Sequence, residues 1–378
     1  MKRIFSSKRN RLPVKVCVFL ITGALIAGMV GCVYNPPPTQ NLEIRTWYDL
    51  DAVRNNLDGS YILMNNLDST TPGYEELASR TANGGKGWQP IGYGGWGSTF
   101  FGVREIGELF KGILDGQGYE IRDLYINSQG QVGLFGFVAK GGILSKGGIK
   151  GGIIKNLTLI NATVTADEAA GVRLGLHEDA VRCLDVAPGV DGVGGLVGNN
   201  RGTVSNCYAM TSVTGDWNVG GLVGYNDGTV SNCYATGTVT GNENVGGLVG
   251  QNVGTVSDSC SNGDVGGIGS SFGGLVGDNS ATVTNSYSTG SVTGNENVGG
   301  LVGANYGTVS NSFWDIQTSG QATSAGGVGK TTVQMKSIAT FSGAGWNITT
   351  VASPGTRSPS FIWNIVDHET YPFLSWQP

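Results

Sequence analysis

The pentapeptide GGLVG occurs at residues 194–198, 220–224, 246–250, 273–277 and 299–303, at spacings of 26, 26, 27 and 26. Each copy is followed by GTVSN (202–206, 228–232, 307–311), GTVSD (254–258) or ATVTN (281–285). SVTG or TVTG often comes next (212–215, 238–241, 291–294). One period thus holds three short apolar patches divided by Gly, Asn and Asp. The patches are too short for helices, and their Val, Thr and Tyr favour strands. Glycine within a helix would cost near ~1 kcal/mol per residue. A fixed period of three short strands predicts an all-β chain, a parallel β-helix (β-solenoid) with one coil per repeat. Like strands then stack in parallel about 4.7–4.9 Å apart.

This arrangement assigns each repeated side chain a column. Leu196, Leu222, Leu248, Leu275 and Leu301 form one internal ladder, and Val204, Val230, Val256, Val283 and Val309 form another. Asn206, Asn232, Asp258, Asn285 and Asn311 share one turn. Asn200, Asn226, Asn252, Asn279 and Asn305 share a second, where side-chain amides bond to one another and to backbone. Tyr208, Tyr234, Tyr287 and Phe313 share a position and are expected to stack. The 65 glycines are expected to supply positive φ at corners and to permit tight coils. Neighbour stacking supplies the core, so no coil is stable alone.

The repeats GGLVG and GTVSNCYATG closely resemble the GLUG-motif repeat of bacterial and archaeal cell-surface proteins. DLDAVRNNLDGSYILMNNLD (49–68), GWQPIG (87–92) and LDGQGYEIRDLYI (114–126) resemble the lead-in of such proteins. QVGLFG (131–136) and IIKNLTLINATVT (153–165) resemble a degenerate first coil, and residues 312–376 a closing segment. The resemblance implies an extracellular β-helix and no defined catalytic activity. GLUG repeats also occur beside protease domains, which this chain lacks.

The N-terminus predicts an address outside the cytoplasm. Six basic residues (Lys2, Arg3, Lys8, Arg9, Arg11, Lys15) precede the apolar run Val16–Val30. Fifteen residues suit a signal segment and are short for a span, which needs about 20. The run ends in MVGC, which resembles a lipobox with Cys32 as the lipidated residue. Ordinary signal cleavage and an uncleaved anchor are the alternatives. The organisation expected is a lipoprotein-type signal over 1–32 and a Pro-rich tether over 33–43, where NPPPTQ favours an extended chain. An N-terminal cap region follows over 44–112, then a solenoid over 113–313 with an insertion at 166–189. A C-terminal cap with a short helical element closes the chain at 314–378. Within the N-terminal cap, WYDLDAVRNNL reads as a short helix and SYILMNNL as a strand.

SAGGVGKTT (324–332) looks like a phosphate-binding loop. A Walker A loop needs Gly five residues before its second Gly, and Ser324 stands there, before Gly329. The loop is closer to the deviant form of partition-type ATPases, but Ala325 replaces their Lys. No strand and helix of an α/β sheet flank it. Thr331 with Gln334 instead fits a helix capping box opening TVQMKSIATF. Neither a nucleotide nor any other cofactor is expected. The net charge of −5 argues against nucleic acid.

Other constellations are weak. His177, Glu178, Asp179, Cys183 and Asp185 cluster in the insertion without a recognised metal spacing, and no metal site is assigned. Glu243 and Glu296 hold one repeat position two coils apart, roughly 10 Å by rung spacing, near the range of an inverting carboxylate pair. They sit in GNEN turns that favour polar residues regardless. A polysaccharide lyase needs a basic residue on the coils, and between 192 and 312 only Arg201 qualifies. No catalytic residue is assigned, and the chain leans away from being an enzyme. Cys207 and Cys233 stack as inward thiols in a column that Ser259, Ser286 and Ser312 continue.

The turn after GGLVG varies most: Asn199/Arg201, Tyr225/Asp227, Gln251/Val253, Asp278/Ser280, Ala304/Tyr306. Tyr225 and Tyr306 there, with Trp217 in another turn, are the candidate binding residues for a sugar or protein surface. The reading is a non-catalytic protein, tethered to a membrane by lipid or released. It serves adhesion, surface binding or envelope structure; a carbohydrate-binding or carbohydrate-cleaving β-helix is the alternative.

Overall fold

Val204, Val230, Val256, Val283 and Val309 pair in register, each in the middle of a three-residue strand, and all these strands run parallel. The computed structural model describes residues 41–99, 102–141, 151–166 and 192–377, with the backbone alone for 94–106. Cys32, most of the tether and almost all of the insertion at 166–189, with its potential ligands, lie outside these residues. No helix among the described residues is long and apolar enough to cross a membrane.

Each coil contributes to three parallel sheets. In the coil that starts at Trp217, Trp217–Gly220 leads into Val223–Asn226, then Thr229–Ser231, then Tyr234–Thr236. The first sheet runs through the Thr-Val-Ser strands, the second through the Tyr and TVT strands, and the third through Val-Gly-X-Asn. The chain is a parallel β-helix. Leu196, Leu222, Leu248, Leu275 and Leu301 are fully buried, as are Val197, Val223, Val249, Val276 and Val302. Each such side chain stabilises by about 1.5–3 kcal/mol on burial.

The corners differ from expectation. Left-handed backbone falls to Asn206, Asn232, Asp258, Asn285 and Asn311, with φ between +47° and +52°. A further corner row, Asn218, Asn244, Ser271 and Asn297, does the same. Asn and Asp tolerate this region because their short polar side chains bond locally. Among the repeat glycines only Gly237 has positive φ. The others serve close approach. A Cβ on Gly220 would stand 2.0 Å from Val223 O, and one on Gly221 would stand 2.3 Å from Gly247 O of the next coil.

The inner Asn row is a continuous chain. Asn200 Nδ2 donates to Asn226 Oδ1 (2.7 Å), Asn226 to Asn252 (2.8 Å), Asn252 to Asn279 (2.8 Å) and Asn279 to Asn305 (2.7 Å). Each amide also serves backbone: Asn252 donates to Thr282 O and accepts from Gly254 N–H. These buried amides are therefore satisfied, as burial demands.

The aromatic column is interrupted. The register reads Tyr208, Tyr234, Cys260, Tyr287, Phe313. Only Tyr208 and Tyr234 stack face to face along it, with centroids 5.0 Å apart and planes 11° apart. The third copy reads GTVSDSC (254–260) where the first two read GTVSNCY, so Cys260 takes the aromatic's place. Tyr287 and Phe313 instead join the C-terminal aromatic cluster of Phe341, Trp346 and Trp363.

The coil pattern extends past both ends of the repeats. Leu42–Ile44 pairs with Ser60–Leu63, which pairs with Ile113–Asp115, so the first sheet begins well before residue 113. Helix Trp47–Asp51 bridges these strands, capped by Thr46 and Asp49. At the other end Phe313–Asp315 pairs with Val328–Lys330. Helices Thr332–Met335 and Ile338–Ser342 follow, where one helix is expected from sequence. Thr331 and Gln334 do form the capping box. A small sheet of Ile348–Thr350, Trp363–Ile365 and Phe373–Leu374 completes the cap.

Candidate binding surface

The inner Asn row divides two columns along one edge of the coils, in which Phe137, Asn199, Asp278, Ala304 and Arg201 are buried. The first column, in the third sheet, reads Phe137, Asn199, Tyr225, Gln251, Asp278, Ala304. The second, one turn residue on from each Asn, reads Arg201, Asp227, Val253, Ser280, Tyr306. The Asn positions between them repeat at every rung, whereas the flanking ones change at every rung.

The candidate residues occupy different parts of this edge. Tyr306 is 80% exposed, at the last rung. Tyr225 is half-buried three rungs away, beside Asp227 and Arg201. Burial and the Asp227 charge raise its phenol pKa, and Arg201 opposes the rise. Trp217 is half-buried in a third column with Glu243, Ser270 and Glu296. Its strand runs against the third sheet: a Cβ built on Gly250 would lie 2.4 Å from Asn218 C. Residue 217 therefore borders rung 251, next to the rung of Tyr225. The strand of Trp217 thus borders the rung next to that of Tyr225, and Tyr306 lies three rungs from Tyr225.

Charge is concentrated at one end. Arg201, 8% exposed, lies over the Phe137 ring at 5.4 Å, with its Nε 3.6 Å from Asp227 Oδ2. Lys140 Nζ is 3.6 Å from Asp227 Oδ1. Burial raises the Asp278 pKa against bonds from Ser280 and Gln251.

The model of the GLUG motif matches residues 215–240, one full period from Gly215 to Thr240. The chain carries the GLUG motif there. It is similar to Halomucin of Haloquadratum walsbyi, 34% identical over 162 residues, which are 41% of this chain and 2% of that protein. It is also similar to a protein of Evansella cellulosilytica provisionally named a Gly-rich membrane protein. That match is 30% identical over 187 residues, 48% of this chain and 15% of the relative. The chain thus spans a small part of the length of these relatives. Among solved structures it resembles a Bacteroides ovatus protein provisionally named an immunoglobulin A1 protease. The TM-score is 0.55 at 17% identity, over 90% of this chain and 94% of the other. At that identity the likeness shows the fold alone.

Within the GLUG coils the other constellations are occupied structurally. Glu243 and Glu296 share a column with Ser270 between them. Arg201, the coils' basic residue, is held by Phe137 and Asp227. Cys207 and Cys233 are buried free thiols that donate to the Ser205 and Ser231 carbonyls. Ser259, Ser286 and Ser312 continue their column, each hydroxyl bonding the carbonyl two residues before it. Loop 324–330 packs onto the last coil. Ser324 Oγ donates to Val302 O and accepts from Val302 N–H, while Ala325 N–H donates to Val302 O and Val328 N–H to Ser312 O. Among the described residues no group of three or more His, Cys, Asp or Glu is placed to hold a metal ion.

Proposed function

We propose that this GLUG protein is a non-catalytic, extracytoplasmic surface protein. Its stacked coils act as a rigid support for an edge that binds a glycan or protein at the cell surface. The observation that carries this reading is the contrast along one edge. The interior column Asn200, Asn226, Asn252, Asn279 and Asn305 is the same at every rung. The flanking columns never repeat, and Tyr225, Gln251, Asp227, Val253, Ser280 and Tyr306 are the half-buried or exposed residues in them. Relatives named Halomucin and a membrane protein support a surface location. The signal-like N-terminus with Cys32 supports lipid tethering.

Two measurements test the proposal. Palmitate labelling of cells expressing the full chain should mark the protein and fail for Cys32→Ala. The purified protein, applied to arrays of glycans and envelope proteins, should bind. Retention by a Trp217→Ala/Tyr225→Ala/Tyr306→Ala variant should drop at least tenfold. A variant that binds as the parent does removes the edge from the proposal, and a protein confined to the cytoplasm removes the proposal itself.

A further inference from the structure

A concavity of about 310 Å³ lies where the N-terminal cap meets the second sheet. That volume is at the lower end of small-molecule sites, about 300–1,000 Å³. Its walls include Tyr74, Arg80, Asp123, Tyr125, Asn161 and Thr163. We infer that this concavity binds a neutral sugar residue, through the Arg80 guanidinium and the Asp123 carboxylate.

The wall departs from what the coil requires. Tyr125 pairs in register with Thr163, which pairs with Ser212. Smaller polar residues, Ser212, Thr238 and Asp264, hold this position on later rungs, and a tyrosine stands there beside the concavity. Arg80 comes from the cap and lies over the Tyr125 ring at 4.8 Å. Its Nη2 donates to Thr163 Oγ1 at 3.3 Å. The guanidinium plane is thereby fixed, while its Nε and Nη1 donors have no hydrogen-bond partner among the described residues.

The opposite wall supplies acceptors. Asn161 Nδ2 donates to Asp123 Oδ1 at 2.6 Å, and Tyr74 OH donates to the Asp123 carbonyl at 2.9 Å. Asp123 Oδ2 receives no hydrogen bond among the described residues. A guanidinium donor and a carboxylate acceptor thus both line the concavity, together with Leu124, Tyr74 and Tyr125. Adjacent hydroxyls on a ring both donate and accept, so they can engage both groups while their C–H face meets apolar surface. One positive and one negative group make the site neutral. A carboxylate or phosphate on the ligand would meet Asp123, and an amine would meet Arg80, so a neutral polyol is favoured over either ion.

The site is independent of the variable edge, and its test does not depend on that edge. Saturation-transfer NMR on the full chain would use the methyl glycosides of glucose, galactose, mannose and N-acetylglucosamine, with methyl glucuronide as the charged control. At least one neutral glycoside should receive saturation, more than the glucuronide does. The signal should fall at least fivefold in Arg80→Gln and in Asp123→Asn, with unchanged melting temperatures. Asn suits position 123 because Asp123 has φ +60°, a region that Asn occupies at other corners of this chain. If Asp123→Asn fails to fold, Arg80→Gln alone decides, because Arg80 is exposed. Equal signals in parent and variant, no transfer to any glycoside, or a preference for the glucuronide would each overturn the inference.

Discussion

Asn226 donates its side-chain amide to Asn252 Oδ1 at 2.8 Å, and both residues are fully buried. Asn252 passes the same bond to Asn279. In a dry interior such a chain is favourable only when complete, since a stranded buried polar group costs about 1–3 kcal/mol. Asn252→Leu should therefore lower stability by about 2–5 kcal/mol, because it strands the Gly254 N–H and a donor of Asn226 together. Ser212→Ala, at an exposed strand position, should stay within about 0.5 kcal/mol. Urea unfolding of both variants checks the difference.

Leu248→Asp places a carboxylate at a site with no exposure. An unpaired buried charge is among the few changes that cost more than about 4 kcal/mol. Coils on both sides should open with it, seen as lost amide protection at Leu222 and Leu275 in hydrogen exchange. Protection lost at rung 248 alone would contradict stacking as the source of the core.

Glycine position decides tolerance. A Cβ at Gly247 would lie 2.3 Å from Gly274 O and 2.3 Å from Ser261 Oγ, whereas one at Gly355 meets nothing within 4 Å. Gly247→Ala should cost about 2 kcal/mol or more, because backbone of the next coil must move. Gly355→Ala should be neutral to within about 0.5 kcal/mol. Melting temperatures measured side by side test this.

The buried thiols should be replaceable by serine. Serine already occupies their column at rungs 259, 286 and 312 and makes the same bond to the carbonyl two residues back. The Cys207→Ser/Cys233→Ser protein should keep its stability to within about 1.5 kcal/mol, because each new hydroxyl finds a carbonyl partner in place. In the parent, a thiol reagent should label these cysteines only on unfolding. Burial, first, and the neighbouring Cys207 thiol hold Cys233 well above the usual thiol pKa, which suppresses the reactive thiolate.

Alkaline pH should loosen the C-terminal cap. Burial, then the hydrogen bond and charge of Asp315, push the Tyr371 pKa up to about 12, from an ordinary value near 10. The unfolded chain releases this proton first, so the contribution is complete below pH 10 and is lost as pH rises from 10 to 12. Tyr287, raised chiefly by burial, acts in the same direction. Trp346 and Trp363 pack against Tyr287, so tryptophan emission followed from pH 9 to 12 reads the change.

The repeating coils were legible in sequence because each column is set by one demand that recurs every period. Leucine must fill the interior, Asn must bond along the stack, and Thr331 must cap a helix with Gln334. What escaped was set by single encounters. Leu42–Ile44 and Ser60–Leu63 join the first sheet as lone rungs separated by helices, so no period announces them. The Asn218, Asn244 and Asn297 row was visible as a recurring Asn-Val-Gly-Gly, but it reads as loop composition until φ is known. Arg80, Asp123 and Tyr125 lie up to 45 residues apart and meet only after the cap folds onto the second sheet. Of the variable edge, sequence identified the columns but not that Tyr225 is half-buried while Tyr306 is open.

The amide chain runs one way, every Asn giving its proton to the next and taking one from the last. A duplicated 26-residue segment inserted in frame would find a waiting acceptor on one side and a waiting donor on the other. Its gene can therefore grow or shrink by whole units, each shifting what lies beyond by about 4.8 Å, with neither terminus redesigned.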